Sequence, residues 1–231
     1  MVNLVSNILI IGAGGRMGSW FFRYLLYHRN LYNSRPKKNE KKSNRNKNRF
    51  KVDKIFLVDN KKLDKVHSFG NLDVYSSRNI SDFITEADIV IFCTPTEITI
   101  KLLHKLLNSF ESGTVIIEVS SIKNQIHKKL KKYSNDNKKN LQFISLHPMF
   151  GPGALVSSTS NIILHIPFDN SRGSAESKLV KKIFPLLEII RVDNAATHDT
   201  LISIVISLIY FMNLIWSRLR LYSSRSARCC S

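Results

Sequence analysis

His147 stands in the segment LHPMFGPG, residues 146–153, on a loop that Pro148 and Pro152 stiffen. An imidazole held in one orientation, with an ordinary pKa near 6.5, suits a general base at neutral pH. A structural histidine with its hydrogen bonds satisfied is the competing reading of the same residue. Upstream, EVSSIK, residues 118–123, brings Ser121 between Glu118 and Lys123 at the end of another apolar run. Earlier still, IIGAGGRMG, residues 10–18, places Gly12, Gly14, Gly15 and Gly18, with Arg16 and Met17 between them, where a strand hands over to a helix. Glycines at such a turn let the backbone approach a pyrophosphate, and the helix N-terminus adds free N–H groups and partial positive charge. The spacing is one residue longer than a strict G-x-G-x-x-G, and a tight turn with no ligand is the alternative.

Two further positions fit a dinucleotide. Asp59 ends the run KIFLVD and is an acceptor for the hydroxyls of an adenosine ribose. Its distance from Gly18 is 41 residues against a usual gap of about 20, and excising residues 33–53 restores that gap. A carboxylate there favours NAD by repelling a 2′-phosphate, while Lys61 and Lys62 close by leave NADP open. Thr94 and Pro95 end the run IVIFC and border the place where a nicotinamide or its ribose would lie; a strand-ending proline with no function is the equal alternative. Cys93 reads as a small core residue.

These residues need elements that bring them to one edge. Short, nearly continuous apolar runs at residues 7–11, 54–58, 88–93, 114–118 and 142–145 read as strands buried on both faces. They alternate with helical patterns at 16–32, 97–109 and 123–133, the signature of parallel βαβ units. The predicted fold is α/β, a doubly wound, Rossmann-type, mostly parallel sheet over residues 1–167. Residues 168–231 are predicted to form a short, incomplete helical domain for substrate and dimerisation. It has helical patterns at 175–187 and 197–221, a short strand at 189–192, and an irregular tail from about 222.

The 231 residues carry a net charge of +18, and the charge is local. Residues 33–51 hold nine Lys/Arg against one Glu, 121–140 seven Lys against one Asp, and 217–231 four Arg, so the rest of the chain is neutral. Residues 33–53, dense in Lys, Asn and Arg, read as a basic disordered insertion. Nucleic-acid binding more often spreads basic residues through a folded face among aromatics, so no nucleic-acid partner is expected. The apolar stretch 201–216 is about 16 residues long and interrupted by Ser203, Ser207 and Asn213, short of the roughly 20 a spanning helix needs. A subunit interface is the preferred reading and no membrane partner is expected. With three cysteines, two adjacent at 229–230, the expected setting is the reducing cytoplasm, and no metal site is expected.

IIGAGGRMG, ADIVIFCTP, EVSSIK, LHPMFGPG and ATHD occur in the order and approximate spacing of the prephenate dehydrogenases, a family that includes arogenate dehydrogenases, and the chain resembles that family. The resemblance covers residues 5 to about 167 and the first part of the helical domain. It implies NAD-dependent oxidation of the ring carbinol of prephenate, with loss of carbon dioxide, to 4-hydroxyphenylpyruvate for tyrosine synthesis. It further implies that His147 accepts the hydroxyl proton, that Ser121 hydrogen-bonds near that hydroxyl and orients the histidine, and that the protein is a homodimer through its C-terminal helices.

The departures lie at the C-terminal side. Where the family carries a histidine-rich segment soon after the His-Asp pair, this chain has His198-Asp199 and then ISLIYF, with Tyr210 at the position of a substrate-contacting histidine. The closing RLRLYSSRSARCCS resembles no part of the family, so a truncated or frame-shifted helical domain is expected. A nucleotide-binding module without a completed substrate site, and a basic protein tethered to membrane or RNA, are the competing classes. Prephenate and arogenate are not separable on these residues.

Overall fold

Branched residues on both faces of a short run make a strand that is stable only between two layers, and the runs ILII, IFLV, IVIF and VIIE build the centre of one sheet. The computed structural model describes residues 5–33, 50–61, 63, 72–135, 139–168 and 173–226. Its strands are β1 (Val5–Ile11), β2 (Lys51–Val58), β3 (Asp73–Ser77), β4 (Ile89–Phe92), β5 (Val115–Glu118), β6 (Gln142–Pro148), β7 (Ile162–His165) and β8 (Glu188–Arg191). They form an eight-stranded sheet in the order β3-β2-β1-β4-β5-β6-β7-β8. The first six strands run parallel; β7 is antiparallel to β6, and β8 is parallel to β7.

Alternate residues of each strand go to opposite faces. Ile8, Ile10, Ile89, Ile91, Val115 and Ile117 pack under α1 (Arg16–Asn33) and α4 (Gly173–Ile183), against Trp20, Phe21 and Phe184. Leu9, Ile11, Val90, Phe92 and Ile116 pack under α2 (Thr96–Leu106) and α3 (Asn124–Asn135), against Leu103, Leu106, Ile126 and Leu130. This is the doubly wound, mostly parallel sheet read from the sequence.

Several boundaries differ from that reading. β2 begins at Lys51, because Val52 turns inward and is 3% exposed, so the end of the expected 33–53 insertion belongs to the strand. Residues 34–49, the greater part of that insertion, lie outside the described residues. α4 and β8 continue the sheet beyond residue 167, the expected domain boundary, which falls between β7 and α4. The last helix, α5 (Ala195–Ser226), runs past 222, where an irregular tail was expected, since adding a turn to an existing helix costs little.

Asn194 starts α5 by accepting the Thr197 backbone N–H at its side-chain oxygen, 2.9 Å away. From Leu201 to Trp216 almost every side chain is exposed, Ile206 to 62% and Phe211 to 61%. The segment Ala195–Trp216 is, by length and composition, long and apolar enough to cross a membrane, and as a sequence window it equally suits a helix covered by another protein surface.

Candidate active site

Because the central strands are parallel, their carboxyl ends lie on one edge, and ligands of such sheets sit there. The order β2-β1-β4-β5-β6 places Asp59, the glycine turn, Thr94, the Ser120–Ser121 loop and His147 in a row along it. With neighbouring strands about 4.8 Å apart, the glycine turn and the β6 end are separated by roughly 14 Å.

At the glycine turn the backbone is packed to its limit. Gly12 has φ +84°, a left-handed conformation, and a Cβ there would come 2.9 Å from the Cys93 carbonyl oxygen and 3.0 Å from the Thr94 methyl. At Gly18 a Cβ would stand 2.1 Å from the Gly12 carbonyl oxygen, so α1 can pack against the turn only without a side chain. Gly14, Gly15 and Arg16 are exposed at the start of α1, and Met17 is half-buried behind them. Asp59 closes the turn: its Oδ2 accepts the Gly14 N–H at 2.9 Å and its Oδ1 the Lys61 N–H at 3.0 Å. Each oxygen keeps a lone pair for a ribose hydroxyl. Thr94 shares a hydroxyl hydrogen bond of 2.7 Å with Thr99, and Pro95 caps the start of α2.

At the other end, His147 closes β6 with 9% of its surface exposed. The loop after it is fastened to α1: Phe150 lies against Trp20 with ring centroids 4.4 Å apart, Trp20 Nε1 donates to the Ala154 carbonyl at 2.8 Å, and Arg23 donates to the Pro152 carbonyl at 3.0 Å. His147 Nδ1 lies 2.9 Å from His198 Nε2, and His198 Nδ1 lies 2.9 Å from Asp199 Oδ1. Asp199 in turn accepts the backbone N–H groups of Lys123 and Asn124, each at 2.9 Å, and so caps α3 from α5.

Beneath this chain lies a buried ion pair. Lys123 Nζ donates to Glu118 Oε1 at 2.7 Å and to the Leu146 carbonyl at 2.6 Å, and both side chains are essentially inaccessible, at 0% and 1%. Ser120 and Ser145 donate to the same carboxylate. Burial alone would raise the Glu118 carboxyl, but the Lys123 ammonium and these hydrogen bonds outweigh it and hold it below its ordinary range. Burial lowers Lys123, and Glu118 offsets that only in part. His147 is pushed down to about 4, first by burial and then by Lys123 and His198, against the opposing pull of Glu118 and Asp199. The imidazole is therefore neutral at pH 7. On Asp199, burial is outweighed by the bonds from His198, Lys123 and Asn124, which keep the carboxylate ionised.

The structure thus gathers Gly12, Gly14, Gly15, Arg16, Met17, Gly18, Asp59, Thr94 and Pro95 around one turn and sets His147 and Ser121 at the other end of the same edge. Ser121 is exposed on the loop between β5 and α3. Tyr210 is 65% exposed on α5, twelve residues and so about 18 Å along the helix from His198. Lys62 lies outside the described residues. Residue types and spacing alone assign no role to Glu118, Lys123, His198 or Asp199. The adjacent His-Asp pair was visible, but its contact with His147, 51 residues away, was not.

A family model described as "Prephenate dehydrogenase, nucleotide-binding domain" matches residues 44–164, a span that holds Asp59, Thr94, Pro95, Ser121 and His147 and begins after the glycine turn. Among solved structures, the chain is similar to an imine reductase from Myxococcus stipitatus in complex with NAD+ (TM-score 0.61, 11% identity, covering 90% of this chain and 63% of that one). It is also similar to prephenate dehydrogenase from A. aeolicus in complex with hydroxyphenyl propionate and NAD+ (TM-score 0.59, 17% identity, 89% and 68%). A third is 3-hydroxyisobutyrate dehydrogenase from Mycobacterium tuberculosis (TM-score 0.54, 14% identity, 85% and 57%). At such identities the likeness is one of fold, and the chain spans 63% of the length of the imine reductases it resembles.

Proposed function

The chain belongs to the prephenate dehydrogenase family by its nucleotide-binding domain, and from that premise we propose that it oxidises prephenate with NAD to 4-hydroxyphenylpyruvate and carbon dioxide. The observation that carries this reading is His147: buried, neutral at pH 7, held at the carboxyl end of β6, and on the same edge as a glycine turn built for a dinucleotide.

The residues fit such a cofactor. The turn has no room for a Cβ at Gly18, its exposed glycines Gly14 and Gly15 leave a phosphate free to approach the first N–H groups of α1, and Asp59 stands where an adenosine ribose would be read. Thr94 and Pro95 would border the nicotinamide side. The Asp59 carboxylate selects NAD over NADP by repelling a 2′-phosphate. When bound, the nicotinamide supplies the acceptor for the hydride.

The protein's own work is alignment and proton transfer. His147 takes the proton of the ring hydroxyl as hydride leaves the same carbon, which prevents a full positive charge from building on that carbon. Ser121 holds the hydroxyl toward the histidine. As the carbonyl forms, the ring carboxylate leaves as carbon dioxide, its bonding pair completes the aromatic ring, the carbonyl pair moves to oxygen, and protonated His147 returns its proton to that oxygen to give the phenol, so the step needs no acid besides His147. Substrate contacts rest on His147 and Ser121. Tyr210 lies too far along α5 to reach a substrate held at His147 of its own chain, and is assigned instead to the side-chain end of the substrate bound by the second copy, within a homodimer that covers the exposed face of α5. The reaction belongs to tyrosine biosynthesis in the cytoplasm.

Incubating the purified chain with NAD or NADP and with prephenate or arogenate tests this, reading nucleotide reduction at 340 nm and product by chromatography. The expected result is NADH and 4-hydroxyphenylpyruvate in equal amounts. Tyrosine from arogenate in their place would move the substrate, and NAD binding without turnover of either compound would overturn the catalytic reading in favour of a nucleotide-binding module.

A further inference from the structure

We propose that His198 and Asp199 are positioning residues that fix the tautomer of His147, leaving its Nε2 as the basic nitrogen. The proposal rests on the reading that His147 is the base.

The two backbone N–H groups at the start of α3, those of Lys123 and Asn124, can only donate, so the Asp199 oxygens facing them accept. Asp199 is held ionised by those bonds and has no proton to give. His198 Nδ1, 2.9 Å from Asp199 Oδ1, must therefore carry hydrogen and donate. With one proton on each ring, His198 Nε2 is a lone pair, and it lies 2.9 Å from His147 Nδ1. His147 Nδ1 is then the protonated nitrogen of its ring. With both imidazoles neutral, one orientation of donors and acceptors satisfies all four bonds, and it ends with the Nε2 lone pair of His147 unused.

Burial strengthens the constraint. His198 is 0% exposed and His147 9%, so neither nitrogen can trade its partner for bulk water. The titratable and charged groups that face His147 are Lys123 and Glu118 from the β5–α3 region and His198 and Asp199 from α5. Lys123 has its ammonium committed to Glu118 and the Leu146 carbonyl, which leaves Asp199 as the anion linked to the imidazole by hydrogen bonds. When Nε2 takes a proton, the charge on His147 is stabilised through His198 by Asp199. No proton needs to travel the whole chain.

Asp199→Ala is the informative substitution. It removes Oδ1, the oxygen that accepts from both His198 Nδ1 and the Lys123 N–H, so nothing holds the proton on His198 Nδ1 and the Nδ1–H tautomer of His147 is no longer enforced. His198→Gln keeps an acceptor for His147 Nδ1, whereas His198→Ala removes it.

The test uses the full chain labelled with 15N in histidine, with ring tautomers read from two-bond 15N–1H correlations, beside kcat and KM across pH. The expected results are an Nδ1–H tautomer for His147 in the unsubstituted chain, and a mixture of Nδ1–H and Nε2–H tautomers with kcat lowered about tenfold or more and KM little changed in Asp199→Ala. His198→Gln should retain far more activity than His198→Ala. An Nε2–H tautomer of His147 in the unsubstituted chain overturns the proposal without any variant. It is also overturned if Asp199→Ala lowers only thermal stability, the effect of losing the α3 cap, and leaves tautomer and pH profile unchanged. If the tautomer behaves as proposed but prephenate and arogenate are not oxidised, the lock stands and the assigned reaction falls.

Discussion

Two histidines share an unusual condition. His147 and His127 are both pushed down to about 4, each chiefly by burial, and His127 stacks on Phe168 with centroids 4.1 Å apart while its Nε2 is buried without a hydrogen-bond partner. Between pH 6.5 and about 4 the unfolded chain binds protons that the folded chain refuses. Stability that is intact above pH 6.5 is therefore lost as pH falls toward 4, and each such group adds up to about 1.4 kcal/mol per pH unit to the slope. Replacing His127 by Gln should remove about one proton from that slope, measured by urea unfolding between pH 7 and 4; an unchanged slope would show that His127 titrates normally. The glycine turn gives a second prediction at this scale. Gly18→Ala puts a methyl 2.1 Å from a backbone carbonyl oxygen, so α1 must shift, and NAD binding by calorimetry should weaken at least tenfold; affinity within twofold of the parent would contradict the packing. Residue types alone pointed to His147 and the glycines, because loops rich in Gly and Pro carry their meaning locally. Asp199 was not legible in that way, since its role depends on meeting the start of another helix 75 residues earlier.

Single elements here depend on what lies under them. The loop from β5 to α3 is supported by the Glu118–Lys123 pair, which is worth more for keeping that loop in place than for net stability, because both ions are fully desolvated. Removing one partner leaves a buried charge alone, so Glu118→Gln should cost about 3–5 kcal/mol and displace the α3 start that Asp199 caps. A double replacement, Glu118→Gln with Lys123→Met, should recover much of that loss in chemical denaturation; no recovery would mean the pair is not coupled. The strands with two apolar faces were readable, and β1, β4, β5 and β6 fall within three residues of their predicted ends at every terminus. β3 was missed because it is an edge strand whose residues Asp73, Tyr75 and Ser76 are exposed, leaving little apolar pattern to read. β7 was missed because four residues, IILH, are too few to separate from a loop, and its antiparallel pairing with β6 breaks the βαβ rhythm.

Over the whole molecule, the sheet is covered on both faces while α5 stands with its apolar surface open from Leu201 to Trp216. Exposed apolar area of that extent calls for a partner surface. Sedimentation of the detergent-free chain should give twice 26.5 kDa, and Ile206→Glu with Phe211→Glu should return it to a monomer; a monodisperse monomer without substitution would contradict the homodimer. Both the composition and the alternation of elements made the doubly wound sheet legible from the sequence. The extent of α5 was not, because helix propagation, not pattern, carries it past residue 222. We propose His147 as the base of a dehydrogenase built on this sheet. The first measurement is the rate of NADH formation from NAD and prephenate by the intact chain beside His147→Ala, with NAD affinity measured on both. Turnover should fall about 100- to 10,000-fold in the variant while NAD affinity is unchanged. Equal rates in the two proteins would remove His147 from that role.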